Sequence, residues 1–315
     1  MGFFASLINS MPSAVAQGLI WGIMAIGVYL TYRILDVADL TVDGSLGTGG
    51  AVCVVMVLNG APVGLALLAA TAAGMLAGLV TGLFHTACGI PAILAGILTQ
   101  LALYSVNLRI MGFGTGGGKA NLPISVDKYS LLVSARYVRN VALNNPILIL
   151  AIFCAVLIAV LYWFFGTELG CSLRATGANQ NMARAQGINT NVAKVLGLMI
   201  SNGLVALAGG LLAQYQGFSD INMGRGAIVI GLAAVIIGEV IFSRIFRNFA
   251  LKLLSAVIGA IIYYIVMVFV LRLGLSTDDL KLLTALVVAL FLTIPYWKGK
   301  YFTKISVKKG EKNHA

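Results

Sequence analysis

Charged residues are scarce in this sequence. Only 10% of its 315 residues are Asp, Glu, Lys or Arg, whereas soluble domains usually carry about 25%. Hydrophobic residues make up 60% of the chain, and its mean hydropathy is +0.98. A soluble fold of this length must expose much of its surface to water, and this composition leaves too few polar residues to cover it. The composition therefore predicts an integral membrane protein.

Residue types that build metal and nucleotide sites are also scarce. The two histidines and four cysteines are scattered and show neither HExxH nor CxxC spacing, so no metal site or disulfide framework is expected. The glycine-rich stretch GFGTGGGKAN (112–121) does not fit a phosphate-binding loop, because Phe113 stands where the first glycine belongs and Ala120 follows Lys119. The chain itself is predicted to bind no cofactor.

The net charge of +11 comes largely from clustered basic residues. A basic C-terminal tail directly follows an apolar run, and this arrangement is typical of membrane topology and of contact with anionic lipid. No nucleic-acid-binding pattern accompanies the charge. Membrane lipid is therefore an expected partner, and nucleic acid is not.

Apolar runs long enough to cross a bilayer, which takes about 20 residues, recur along the chain. We predict an all-α polytopic membrane protein with about nine spans, eight and ten being the neighbouring counts. The second run begins with the polar stretch ADLTVDGSLGTGG, so a break near residues 40–50 is expected. Residues 1–297 would form one transmembrane domain, with spans at 12–32, 40–58, 61–84, 89–110, 146–166, 193–216, 226–243, 250–272 and 280–297.

The distribution of Lys and Arg predicts the orientation. The tail 298–315 carries six lysines, and cytoplasmic segments carry the excess of basic residues. The tail is therefore predicted to be cytoplasmic. Alternation then places loop 167–194 inside and loop 111–145 outside. The basic residues of loop 111–145 are discordant with this orientation unless that loop forms a small structured element.

Small residues recur every four positions in the third predicted span. They are Ala66, Ala70, Gly74, Gly78 and Gly82. This spacing puts them on one helix face, and membrane helices associate closely through such faces. The pattern predicts a tight helix–helix contact without identifying the partner helix.

The predicted spans have few ionisable side chains near their centres, although ion-coupled secondary transporters often carry such residues there. Glu239 is the main exception, near the inner end of its span. It is interpreted either as a residue that reaches the interface or pairs with Arg244 or Arg247, or as a gating residue. The shortage of charge argues against ion-coupled transport. The lack of a polar cluster within the spans argues against a membrane-embedded enzyme.

The polar stretch at 38–50 opens the second span. Thr41, Asp43 or Ser45 can cap a helix start, and a carboxylate complements the positive end of the helix dipole. Gly44 and the glycines after it permit a broken helix and close approach. Non-helical backbone at membrane depth is tolerated only inside protein or beside a water-filled cavity. Two interpretations follow for Thr41, Asp43, Gly44 and Ser45: they line or brace a translocation pathway, or they form a buried structural cap.

The longest loop predicted on the cytoplasmic side is 167–194. Its middle part, GANQNMARAQG (177–187), is predicted to form a short helix that begins after Gly177 and stops at Gly187. A helix at the membrane face directly before a span suits docking to a soluble partner. A simple connection is the alternative interpretation.

Three short patterns in and after this loop are distinctive: LRATGAN, an A-x-x-x-GI pattern ending at Ile188, and ALAGGLLA in the following span. Together they resemble the permeases of ABC importers in the branched-chain amino acid and ribose class. LTVDGS, followed by a Gly/Ala-rich helix, resembles the branch of that class associated with tryptophan/tyrosine uptake. The resemblance covers most of residues 12–297.

This resemblance implies a permease subunit of a bacterial plasma membrane importer without an ATPase site of its own. Its expected partners are ABC ATPase subunits that bind ATP and Mg²⁺ in the cytoplasm, an extracytoplasmic substrate-binding protein and a second permease copy. The general EAA-x-x-x-G pattern of importer permeases is degenerate here, because Asn181 and Met182 replace Glu and Ala. The residues expected to couple to the ATPase are Gly177, Ala178, Asn179, Met182, Ala183, Arg184, Gly187 and Ile188.

The same resemblance implies alternating access for a small solute. The best candidate is an amino acid, in particular an aromatic one. A nucleoside or a sugar is the alternative within the class, and an ion-coupled secondary transporter is the alternative from another class.

Overall fold

The computed structural model describes residues 3–113, 117–125, 128–129, 131–138, 145–242, 246, 248–272, 282, 284–286, 288–290 and 293. The chain is mostly helical, as predicted. The helices are α1 (Phe3–Tyr29, continued by a π-helical turn, Leu30–Ile34), α2 (Val42–Leu58), α3 (Val63–Thr86), α4 (Ala92–Met111), α5 (Pro146–Phe165), α6 (Glu168–Ala178), α7 (Gln180–Ala185), α8 (Thr190–Gln216), α9 (Ala227–Phe242) and α10 (Phe249–Arg272). Ala135–Tyr137 form a 3-10 turn, and the strands are β1 (Asn121–Pro123) and β2 (Phe218–Asp220).

Each of the first eight predicted spans coincides with a helix. The first helix begins well before the predicted start at residue 12, at Phe3, and the other ends are shifted by a few residues. Among the described residues, six helices are long and apolar enough to cross a membrane. The helices α2 and α9 have 17 and 16 residues and are shorter than a full span. The predicted ninth span, 280–297, lies largely outside the described residues, so the structure supports a multi-pass membrane protein without establishing nine spans.

Helix ends follow local sequence rules. Asn145 caps α5 ahead of Pro146, and Asn189 caps α8 through the backbone N–H groups of Asn191 and Val192. At its other end α8 stops at Gly217, whose φ of 80° is a left-handed conformation that glycine adopts without steric cost.

The helices α1 and α8 form the centre of the bundle. In the most apolar window of α1, 89% of residues are buried inside the protein, and in α8 78%, against 22% in α4. Ser13 lies beside Tyr215, and Ser201 donates to the carbonyl oxygen of Gly27. These pairs show that α1 and α8 run antiparallel.

The small-residue face of α3 packs against α8. A Cβ added to Gly74 would overlap the carbonyl oxygen of Asn202 and the side chain of Ala206, and one on Gly82 would lie 3.0 Å from the Cα of Val195. The backbones of the two helices therefore approach closely, as small residues permit between membrane helices.

The units α1–α3 and α8–α10 are related as an inverted repeat. Within each unit a long helix is followed by a short helix, and the third helix runs antiparallel to the short one. The third helix of each unit packs on the first helix of the other: α3 packs on α8, and α10 packs on α1, where Gly18 and Gly22 lie against Ile261 and Val257. Each short helix also runs parallel to the long helix of the opposite unit. The pairs Ser45–Asn202 and Gly49–Ala206 show this for α2 and α8, and the pairs Val28–Gly231 and Arg33–Glu239 show it for the first span and α9.

Part of loop 111–145 is structured. Strand β1 pairs antiparallel with β2, which follows α8, with Leu122 opposite Ser219. The backbone of Ile124 also donates to the carbonyl oxygen of Gly217. This loop was predicted to carry positive charge outside only as a small structured element, and the strand pair supplies one.

Candidate functional site

The polar stretch at 38–50 lies deep in the bundle. Ser45 donates to Oδ1 of Asn202 over 2.6 Å, and Asn202 lies about 18 Å along α8 at 1.5 Å rise per residue. The short helix α2 therefore begins inside the bundle. It is continuous from Val42 to Leu58, so the interruption lies at residues 35–41, before the helix, and not within 42–50 as the expected break near 40–50 allowed. Thr41 and Ser45 are fully buried, so in this conformation both side chains contact neighbouring helices.

Asp39 and Asn202 form the centre of this polar cluster. Nδ2 of Asn202 donates to Oδ2 of Asp39 over 2.6 Å, and the Thr41 backbone N–H donates to Oδ1 over 2.9 Å. Thr41 also hydrogen-bonds Thr81, which in turn donates to Thr99. Buried polar groups are stable when every member has a partner, so the cluster ties α2, α3, α4 and α8 together. Sequence reasoning missed Asp39 and Asn202, because their 163-residue separation leaves no local signal.

Asp43 does not cap its own helix, which corrects one expectation. Its oxygens accept from the backbone N–H groups of Gly226 and Ile228, each over 2.9 Å. Thr41, the N-cap residue of α2, makes no side-chain capping bond. The carboxylate therefore satisfies the start of α9, where the helix dipole favours negative charge. Gly224 lies against the Asp43 carbonyl oxygen, which lets the two chain segments approach. The starts of the two short helices thus meet within the bundle.

Glu239 pairs with Arg33 at the opposite end of α9. Nε of Arg33 lies 2.9 Å from Oε1 of Glu239. The partner predicted from sequence was Arg244 or Arg247, and both of these lie outside the described residues. The observed partner comes from the last turn of the first span, 206 positions away.

Loop 167–194 contains two helices, whereas one helix over 177–187 was predicted. Gly177 lies inside α6, and a Cβ there would overlap the carbonyl oxygen of Ile34, so α6 packs tightly on the end of the first span. Asn179 ends α6 and caps α7. Gly187 has φ of 80° and ends the second helix, as predicted.

The expected coupling residues form an exposed surface on and around α7. Met182 is 64% exposed, and Ala178, Asn179, Arg184 and Gly187 are also exposed. Ala183 is buried, and Ile188 is half-buried. Arg184 donates through Nε to Thr190 over 2.9 Å, which fixes α7 to the start of α8. The arrangement is a short helix attached to a long central one.

The family profile described as "Branched-chain amino acid transport system / permease component" matches residues 10–294. The chain belongs to this permease family. The membership predicted from LRATGAN and LTVDGS is therefore confirmed, and the chain is a transport subunit, not a member of an enzyme family. Within the described residues, no group of three or more His, Cys, Asp or Glu side chains could hold a metal ion.

Three relatives show how far the similarity extends. The permease is 41% identical to the tyrosine transport system permease protein of Clostridioides difficile, over 96% of this chain and 99% of the relative. It is 37% identical to the uncharacterized protein RP368 of Rickettsia prowazekii, over 90% of this chain and 97% of that one. It is 27% identical to the autoinducer 2 import system permease protein LsrC of Salmonella typhi, over 74% of this chain and 63% of that protein.

We expect Asn179→Ala to loosen α7 without unfolding the permease. Oδ1 of Asn179 accepts from the backbone N–H groups of Asn181 and Met182, each over 3.1 Å. Loss of such a cap costs about 1 kcal/mol, which corresponds to a roughly fivefold larger population of the locally open state. Hydrogen exchange of the α7 amides measures this change. Asn181→Ala, which removes an exposed amide outside the cap position, is the matched control, and equal exchange rates in the two variants would contradict the capping role.

Proposed function

We propose that this permease is the membrane-spanning subunit of an ATP-driven importer for an amino acid, with aromatic amino acids as the preferred class. The observation that carries the substrate class is the 41% identity, over nearly the full length of both chains, to a tyrosine transport system permease. A nucleoside or a sugar is the alternative within the same family.

The exposed α7 surface supports docking to a cytoplasmic ATPase. Arg184 and Thr190 attach α7 to α8, and α8 contacts α1, α2 and α3. A displacement of α7 by a docked ATPase would therefore be transmitted to α8. Met182 is a large apolar side chain that is mostly exposed at this surface. Buried apolar anchors dominate binding energy at interfaces. We assign Met182 as the anchor, and we assign the α6–α7 end of the bundle to the cytoplasm.

The short helices α2 and α9 are the proposed moving part. Their starts meet at Asp43 within the bundle, and we propose that one unit tilts against the other at this junction. We propose that ATP binding to the partner subunits drives this movement and that substrate passes between two permease copies. An extracytoplasmic binding protein would deliver the substrate at the β1–β2 end. ATP and Mg²⁺ would be held by the ATPase.

We expect Met182→Asp to lower both co-purification of the ATPase and tyrosine uptake by at least about tenfold, since a buried charge replaces an apolar anchor. The measurement is a pull-down from native membranes together with uptake of labelled tyrosine by cells. Phe113→Asp is the matched control, because Phe113 is 77% exposed and lies at the opposite end of the bundle. It should retain the ATPase.

The same cells separate the alternatives. Uptake that tyrosine inhibits and ribose or nucleosides do not supports the amino acid assignment. Purified permease that moves substrate down an ion gradient without any ATPase would overturn the importer proposal. If the Met182→Asp permease retains the ATPase, the family assignment stands and the docking residue is wrong.

A further inference from the structure

A cavity of about 720 Å³ opens at the α6–α7 end of the permease. It lies between the end of the first span, α6, the end of α9 and the start of α10. Its aromatic walls are Tyr29, Phe242, Phe246 and Phe249. The stacked rings of Phe242 and Phe246 lie 4.8 Å apart between centroids. Nothing in the proposed transport cycle uses this cavity.

The cavity carries a surplus of positive charge. Arg33, Arg174 and Lys252 line it, against one carboxylate, Glu239. That carboxylate is already paired with Arg33 at 2.9 Å. Within the described part of the chain, Arg174 and Lys252 have no carboxylate partner. The guanidinium of Arg174 lies 5.5 Å from the ring centroid of Phe249, against the aromatic wall of the cavity. Two uncompensated cations therefore face one cavity.

A second groove of about 390 Å³ adjoins the first and shares Arg174 and Phe249 with it. Tyr162 and Trp163, at the end of α5, form its outer wall and are 56% and 71% exposed. Exposed Tyr and Trp side chains at helix ends are typical of the level where lipid headgroups meet acyl chains. A ligand bound by Arg174 would thus lie beside this aromatic groove.

The charged residues lie at one level of the bundle. Arg33 lies in the last turn of the first span, Lys252 in the first turn of α10, and Glu239 in the last turn of α9. Arg174 belongs to α6, outside the long helices. The cavity therefore lies at the level where the long helices end, and this is the level at which lipid phosphates are expected.

We propose that this cavity binds the phosphate of an anionic phospholipid, with Arg174 and Lys252 as its ligands and the Tyr162–Trp163 groove holding the glycerol and first acyl carbons. Basic pockets between transmembrane helices at the cytoplasmic face bind anionic headgroups. Free inorganic phosphate offers the same anion to the two cations, but it leaves the aromatic groove empty. A phospholipid would contact both the two cations and the aromatic groove. Its binding would make the conformation of the α6–α7 end depend on the lipid composition of the membrane.

The reactivity of a native cysteine, Cys171, can report whether a ligand occupies the cavity. Cys171 is exposed and lines the cavity, whereas Cys88 is exposed and lies outside its lining. Cys53 and Cys154 are buried and report on folding. The experiment measures maleimide labelling of each cysteine, by peptide mass spectrometry, in the full-length permease with any subunits that co-purify. The permease is embedded in bilayer discs of phosphatidylcholine, with or without phosphatidylglycerol, and with or without inorganic phosphate.

Phosphatidylglycerol is expected to slow the labelling of Cys171 and not that of Cys88. In the Arg174→Gln/Lys252→Gln variant the lipid should bind about 30-fold more weakly, because each basic residue near the surface adds to the attraction. The control variant Arg109→Gln/Lys119→Gln removes the same charge from exposed residues elsewhere and should keep the protection. Unlabelled Cys53 and Cys154 show that each variant is folded.

Three outcomes separate the possibilities. Protection of Cys171 by phosphatidylglycerol that the double variant loses supports the proposal. Equal labelling in both lipids, or protection that survives in the double variant, overturns it. Protection by inorganic phosphate alone, with none from phosphatidylglycerol, overturns the lipid assignment and leaves a free phosphate as the ligand of the same cations.

Discussion

Gly74→Leu is expected to abolish accumulation of the folded permease. The Cβ of any side chain at this position would overlap the carbonyl oxygen of Asn202 and the side chain of Ala206 in α8. The obstruction is backbone, so a rotamer change cannot relieve it, and α3 must move away from the central helix. Overpacking of this kind costs about 3 kcal/mol or more, which is over a hundredfold in the ratio of folded to unfolded protein. Size-exclusion chromatography of detergent extracts measures the loss.

Gly64→Leu provides the matched control in the same helix. A Cβ at Gly64 meets no atom within 4 Å, so leucine there adds the same apolar side chain without a collision. This variant should elute like the wild type. Equal recovery of the two variants would show that α3 does not pack on α8 through its small-residue face.

Asp43→Leu is expected to separate the two short helices. The backbone N–H groups of Gly226 and Ile228 would lose their acceptor in a partly buried site. Each unsatisfied buried donor costs about 1–3 kcal/mol, so the free energy of unfolding should fall by about 2–6 kcal/mol. Transport should be lost as well, because the starts of α2 and α9 would no longer be joined. Thermal unfolding in detergent and tyrosine uptake measure the two effects.

Asp43→Asn tests whether the two carboxylate oxygens of Asp43, or only the size of its side chain, stabilise the junction of α2 and α9. The amide keeps one oxygen and therefore one of the two hydrogen bonds. Its stability should lie between those of the wild type and Asp43→Leu. If all three proteins unfold at the same temperature, Asp43 does not join the two helices.

Local patterns predicted much of this fold, and distant contacts account for what they did not predict. Apolar runs predicted the helices, and the spacing of Gly74, Gly78 and Gly82 predicted which face of α3 packs closely. The identity of the partner helix is a tertiary property that this spacing does not contain. Asp43 was expected to complement the start of its own helix. The helix is α9, however, 183 residues away, and capping rules consider only the helix on which a residue lies.

For the charged residues too, the sequence identified single residues but not their distant partners. The shortage of intramembrane charge singled out Glu239, but its partner Arg33 comes from a helix that only the bundle brings near. Asp39 gave no distinct signal, because its role depends on Asn202 in α8. Loop 167–194 was predicted to contain one helix because Gly177 was interpreted as a break. In α6 this glycine permits close packing against Ile34, and Asn179 provides the boundary.

The inverted repeat has a consequence for the direction of transport. The units α1–α3 and α8–α10 run in opposite directions, and the third helix of each packs on the first helix of the other. If the two units exchanged conformations, a form open at one face would become a form open at the other. An exchange of this kind would by itself favour neither direction. Vectorial movement then requires asymmetry from outside the chain. A protein that binds solute on one face and an enzyme that consumes nucleotide on the other would provide it, and the membrane subunit would act as a reversible gate.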